Sequence, residues 1–171
     1  MNSGLDETAV FLVHTLKQVA YGFDQLDALD DTVDDGSPAK AFYLNAIYNY
    51  IALLFLLDGK GKVMAGSVYP ALDRHGLAPL LNPIRAVLGE PMGETTFGEM
   101  IRVFRNTALV HSAHCDADLD RVYADVDMTN PVNQLRWQRL LEQLREEIVN
   151  LMFAVARSTR RPLEDFGFVH K

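Results

Sequence analysis

FGEMIRVFRNTALVHSA, from Phe97 to Ala113, is the stretch that decides the fold. Phe97, Met100, Ile101, Phe104 and Ala108 recur at intervals of three and four, the stripe of a helix with one buried face. Period-two alternation is missing, so a strand is excluded here. Thr95 or Thr96, just before the stripe, serves as N-cap, and Thr96 with Glu99 has the spacing of a capping box that starts a helix. Late in this apolar helix come Arg105, Asn106 and His111. Arg is always charged and grips phosphate with two parallel N–H donors. His is the side chain best suited to move a proton near neutral pH. Together they form a minimal kit for a phosphodiester.

Outward from this helix the chain repeats the same period. A first helix is expected from about Asp6 to Leu29, with Val10, Val13, Leu16, Val19, Ala20 and Phe23 on its apolar face. Asp6 and Glu7 suit its positive N-terminal end. Ser37 as N-cap and Pro38 at the first helical position open a second helix that runs to Leu57 and ends at Gly59 and Gly61. It carries Phe42, Tyr43, Tyr48, Tyr50 and Phe55, read as core or dimer-interface aromatics. Pro70, Gly76, Pro79 and Pro83 break the region from Ser67 to Leu88 into short or kinked helices. Gly89 to Gly93 is a turn. Asp116 to Asn130 is an acidic stretch, either a loop or an extension of the preceding helix. Pro131 begins a last long helix to about Ala156, with a core stripe of Leu135, Leu141, Leu144, Ile148, Leu151 and Met152. The prediction is an all-α bundle of four to five helices in one domain, residues 1–156, followed by a less ordered tail, 157–171.

Composition narrows the function. The chain has 171 residues, 49% hydrophobic, with a formal net charge of −7. That suits one globular core and disfavours a protein that coats DNA, which would be basic. A nuclease with one local basic pocket remains compatible. The single cysteine, Cys115, has no internal disulfide partner. The N-terminus has no signal-peptide pattern, and the apolar run from Ile51 to Leu57 is far too short to span a bilayer. A soluble cytoplasmic protein is expected, with no membrane role.

Several residue groups compete as sites. Arg105 and His111 are six positions apart, so they stand about 120° apart around the helix axis. A second copy of the helix, brought in by a two-fold axis, would complete such a split site. The plainer alternative makes Arg105 the partner of a neighbouring carboxylate and His111 a packed, hydrogen-bonded side chain. His111, His114, Cys115, Asp116 and Asp118 contain types that ligate zinc, and His111, Cys115 and Asp118 share a face if the helix continues. No second ligand pair accompanies them, and no metal or cofactor is expected. Gly59-Lys60-Gly61-Lys62 lacks the spacing, the Ser or Thr and the preceding strand of a phosphate loop, so it reads as a turn between helices. Lys60, Lys62 and Arg102 are the cations available to touch RNA phosphates. Asp24, Asp27, Asp30, Asp31, Asp34 and Asp35 read as a solvated acidic surface, and Arg157, Arg160 and Arg161 as a helix end that complements the dipole.

The order Arg105-Asn106, four residues, then His111 resembles the signature of the HEPN family (higher eukaryotes and prokaryotes nucleotide-binding). That signature lies on a late helix of a small helical bundle, before one last long helix, as it does here. The resemblance implies a metal-independent RNA endonuclease acting as a homodimer, with the two motifs facing each other. It implies a toxin or phage-defence component, with an antitoxin or nucleotidyltransferase as partner. On this chain it makes His111 the general acid or base, Arg105 the stabiliser of the phosphorane-like transition state, and Asn106 an orienting group. Other members of the family only bind nucleotides or proteins, so a non-catalytic binding or interaction module of antitoxin or immunity type is the alternative.

Overall fold

A computed structural model describes residues 3–30, 37–56, 62, 67–110 and 126–168, with the side chains of 3, 4, 30 and 106–110 excepted. Helices dominate: α1 (Ser3–Asp30), α2 (Pro38–Phe55), α3 (Tyr69–Arg74), α4 (Asn82–Leu88), α5 (Phe97–Val110) and α6 (Pro131–Arg157). The fold is all-α. The extension of α5 toward Ala113 and the acidic stretch up to residue 125 lie outside the described residues, as do Leu57, Gly59, Gly61 and residues 31–36, with Asp31, Asp34 and Asp35 among them.

Caps act where the sequence puts them. Ser37 Oγ accepts the Lys40 N–H at 3.2 Å, and Pro38 opens α2. Thr96 Oγ1 accepts the Glu99 N–H at 3.2 Å at the start of α5. Asn130 Oδ1 accepts the Val132 N–H at 2.9 Å, and Pro131 opens α6. Just before that cap, Asp127 accepts from both the hydroxyl and the N–H of Thr129, which holds its carboxyl below the usual carboxylate range.

The region from Ser67 to Leu88 divides as its prolines dictate. α3 ends at Arg74, Gly76 takes a left-handed φ of 71°, and a 3-10 turn at Ala78–Leu81 leads into α4. The expected turn at Gly89–Gly93 is partly strand. Pro91–Met92 pairs antiparallel with Thr95–Thr96, and Gly93 supplies the positive φ of the reversal. Two residues per strand are too few for alternation to show in the sequence.

The core is one cluster formed by α1, α2, α5 and α6, closed at one end by α3 and α4. On α1, Val13, Leu16, Val19 and Phe23 are buried as expected. On α6 the stripe differs. Leu135 is 47% exposed, whereas Trp137, Leu140, Leu144, Ile148 and Leu151 are buried. Trp137 is the anchor. Its ring meets Phe97 edge-on at 4.7 Å, Phe104 at 5.3 Å and Tyr48 at 6.0 Å. Gly98 marks the tightest crossing, since a Cβ there would lie 3.0 Å from the Leu88 carbonyl and 3.1 Å from Leu56.

The expected less ordered tail is folded over its described part, which ends at Phe168. Leu163–Phe166 forms a 3-10 turn with Phe166 buried. Phe168 stacks on Phe153 of α6 at 4.5 Å, and Lys17 of α1 donates to the Phe166 carbonyl while lying 4.4 Å over the Phe168 ring. The apolar residues Leu163, Phe166 and Phe168 give this segment a reason to stay on the bundle, because burying each aromatic ring stabilises by about 1.5–3 kcal/mol.

Burial also fixes the chemistry of Tyr48. Its phenol is pushed up from 10.0 to about 12 by desolvation, offset in part by the hydrogen bond with Trp137. The folded pKa is above the unfolded one, so the protonated phenol's contribution is complete below pH 10.0 and is lost as pH rises through about 12. Tyrosinate absorbance followed during an alkaline titration is expected to show one phenol ionising about two pH units late, together with unfolding.

Candidate functional site

The seam between α2 and α5 is where the motif begins. The two helices run antiparallel: Gly98 lies beside Leu56, the Phe104 ring is 6.3 Å from that of Tyr48, and Arg105 meets Asn49. Tyr48 and Phe104 face the core, and the next residue on each helix turns to the seam. Arg105 is half-buried there, and its Nε–H donates to Asn49 Oδ1 at 3.3 Å. Arg105 takes part in further interactions besides this one.

Arg102, one turn earlier on α5, has a different environment. Its Nε donates to Glu99 Oε2 at 2.9 Å and its Nη2 to Glu99 Oε1 at 2.6 Å, a bidentate pair on its own helix. Its charge is thereby opposed by a carboxylate, which weakens it as an RNA contact. Lys62 is exposed. Lys60, the whole of His111 and the group His114, Cys115, Asp116 and Asp118 lie outside the described residues. Asn106 belongs to α5 by its backbone, but its side chain lies outside them too. Among the described residues no cluster of His, Cys, Asp or Glu could hold a metal ion, and no helix is long and apolar enough to cross a membrane.

Other surfaces carry less chemistry. An apolar cavity of about 270 Å³ sits at the far end of α2, lined by Leu54, Leu56, Tyr69, Ile84, Arg85 and Leu88. Its cation, Arg85, lies 4.8 Å over the Tyr69 ring. Asp24 and Asp27, read as acidic surface, are on α1 and bind Arg145 of α6 at 2.7 and 2.6 Å. Both carboxylates are more than half exposed, so these pairs contribute at most about 1 kcal/mol each. Of the α2 aromatics, Tyr48 is buried and Tyr50 and Phe55 pack on the core, while Phe42 is 67% exposed with Tyr43 edge-on to it at 5.4 Å. Phe42 precedes Asn49 by seven residues, so both lie on one stripe of α2, two turns apart.

Asn49 is the residue that sequence reasoning passes over. Nothing near it in the chain signals a role, and Arg105 is 56 positions away. Compared with known proteins, the chain matches no family model, no curated protein and no solved structure.

Proposed function

We propose that this chain is an HEPN-like, metal-independent RNA endonuclease that works as a homodimer in the cytoplasm. The observation that carries the reading is Arg105: a half-buried guanidinium on a core helix of an all-α bundle, opening the order Arg105-Asn106-x4-His111. A half-buried cation suits phosphate because it keeps solvent access while its field is less screened than at a fully exposed position.

The chemistry follows from those residue types. The RNA 2′-oxygen attacks phosphorus, the bond from phosphorus to the 5′-oxygen breaks, and a 2′,3′-cyclic phosphate is left. One His111 takes the 2′-hydroxyl proton, and a second histidine, from the other copy, returns a proton to the departing 5′-oxygen. Arg105 opposes the charge that grows on the non-bridging oxygens, and Asn106 orients the phosphate or His111. A dimer supplies the two histidines that one motif lacks. An antitoxin or a nucleotidyltransferase is the partner class that goes with a toxin or phage-defence role.

The test is direct. Single-stranded RNA incubated with the purified chain and excess chelator is expected to be cleaved. RNA that stays intact across pH and salt would favour the other reading, a non-catalytic helical interaction or nucleotide-binding module, for which the exposed Phe11 and Phe42 would be contact residues.

A further inference from the structure

We infer that the cavity between the end of α2 and α4 is a binding site for a small carboxylate with an apolar body, a site independent of the nuclease reading. Its origin lies in the breaks of the chain. α2 ends at Phe55, and the returning chain is pinned there: the Val68 N–H and the Ser67 hydroxyl both donate to the Leu54 carbonyl, at 3.1 and 3.0 Å. Ser67 Oγ in turn accepts the Tyr69 N–H at 3.1 Å, where α3 starts. Pro70, Pro79 and Pro83 then keep α3, the 3-10 turn and α4 as separate short pieces, so no continuous helix lies along this end of α2. Close-packed folds hold few voids larger than a water, so a cavity of about 270 Å³ here is unusual. Leu54, Ile84 and Leu88 are buried and make apolar walls. Water against such walls finds few partners, and an apolar body that displaces it is favoured. An apolar cavity of about 150 Å³ takes benzene, so this one has room for a longer body, a chain of about eight carbons. Arg85 supplies the head-group half. It lines the same cavity, is exposed, and lies 4.8 Å over the half-buried Tyr69 ring. That stacking holds the planar group without neutralising it, and among the described residues no carboxylate pairs with it. The Ser67 hydroxyl is already engaged as donor and acceptor, so it does not compete for the head group. Apolar walls that meet such a cation fit an anion with an apolar tail. A neutral molecule would leave the charge unused, and an inorganic anion would leave the walls.

Octanoate is the probe, with octanol and acetate standing for its tail and its head. Calorimetric titration of the full chain is expected to show one octanoate bound per chain, octanol about threefold to tenfold weaker, and acetate undetected at the same concentrations. The gap between octanoate and octanol should narrow as salt rises, because Arg85 is exposed and its charge is screened. Arg85→Gln keeps a long polar side chain at this exposed position. It is expected to lower octanoate to the affinity of octanol while leaving octanol itself unchanged. Nuclear Overhauser contacts from the octanoate chain to the methyls of Leu54, Ile84 and Leu88 place the ligand in wild type, without any variant. Folded wild type that binds no octanoate overturns the inference. Equal affinity for octanoate and octanol overturns it too, as does a folded Arg85→Gln variant that holds octanoate as tightly as wild type. Octanoate that contacts methyls only elsewhere in the bundle does the same. A wild type inert on RNA removes the nuclease reading and leaves this site standing.

Discussion

His111→Ala and Arg105→Ala are each expected to cut RNA cleavage by about a hundred- to ten-thousand-fold while the protein stays folded. A positioned acid or base typically accelerates by about that factor, and the loss of one donor to a developing oxyanion costs a similar amount. The two variants should differ in pH dependence. Wild type is expected to show a bell-shaped profile, because one histidine must be neutral and its counterpart protonated. Arg105→Ala should keep the bell at reduced height, since Arg stays charged throughout the range. His111→Ala should flatten it. Combining the two changes should cost much less than the product of the single losses, as groups that act as a unit do. Cleavage that survives His111→Ala with its bell intact would assign the proton transfers elsewhere.

Trp137→Ala is expected to destabilise the fold by about 3–5 kcal/mol, the cost of deleting a large buried aromatic side chain. Trp137 is 7% exposed and its indole touches rings from two other helices, Tyr48 on α2 and Phe97 and Phe104 on α5. For a chain of this length that corresponds to a fall in Tm of roughly 6–20 °C. Trp137→Phe fills most of the space and should cost far less. It removes the hydrogen bond to the Tyr48 phenol, however, and that bond lowers the phenol's pKa. Tyr48 should therefore ionise later still in Trp137→Phe. Thermal melts followed by circular dichroism check the first expectation and alkaline titration the second. A Trp137→Ala variant as stable as wild type would mean that the ring cluster does not hold α6 to the seam of α2 and α5.

Local signals were legible and long-range ones were not. Ser37 and Thr96 mark helix starts through bonds made within three residues, Pro38 and Pro131 through a fixed φ and a missing donor where none is needed, and each acts where the sequence puts it. The stripes of α1 and α5 are readable because each helix buries one continuous face. α6 shows the limit. Leu135 and Trp137 are both apolar, but they stand about 200° apart around the axis, and only the neighbouring helices decide which one is inside. They bury Trp137 and leave Leu135 half in solvent. The folded turn at Leu163–Phe166 was hidden because it follows a cluster of arginines and a proline, a composition that reads as a solvated end. Arg105 was singled out by its own chemistry. Asn49 was not, because its contact with Arg105 depends on the register between α2 and α5, which no spacing within either helix encodes.

The central claim is that the chain cleaves RNA through the substrate's own 2′-hydroxyl, with Arg105 and His111 in place of a metal. The most direct measurement compares one single-stranded RNA with the same sequence carrying 2′-deoxy sugars, both incubated with wild type in excess chelator. The expected result is cleavage of the RNA to fragments ending in 2′,3′-cyclic phosphate, with the deoxy strand intact. Cleavage of both strands, or cleavage that appears only when a divalent metal is restored, would contradict it.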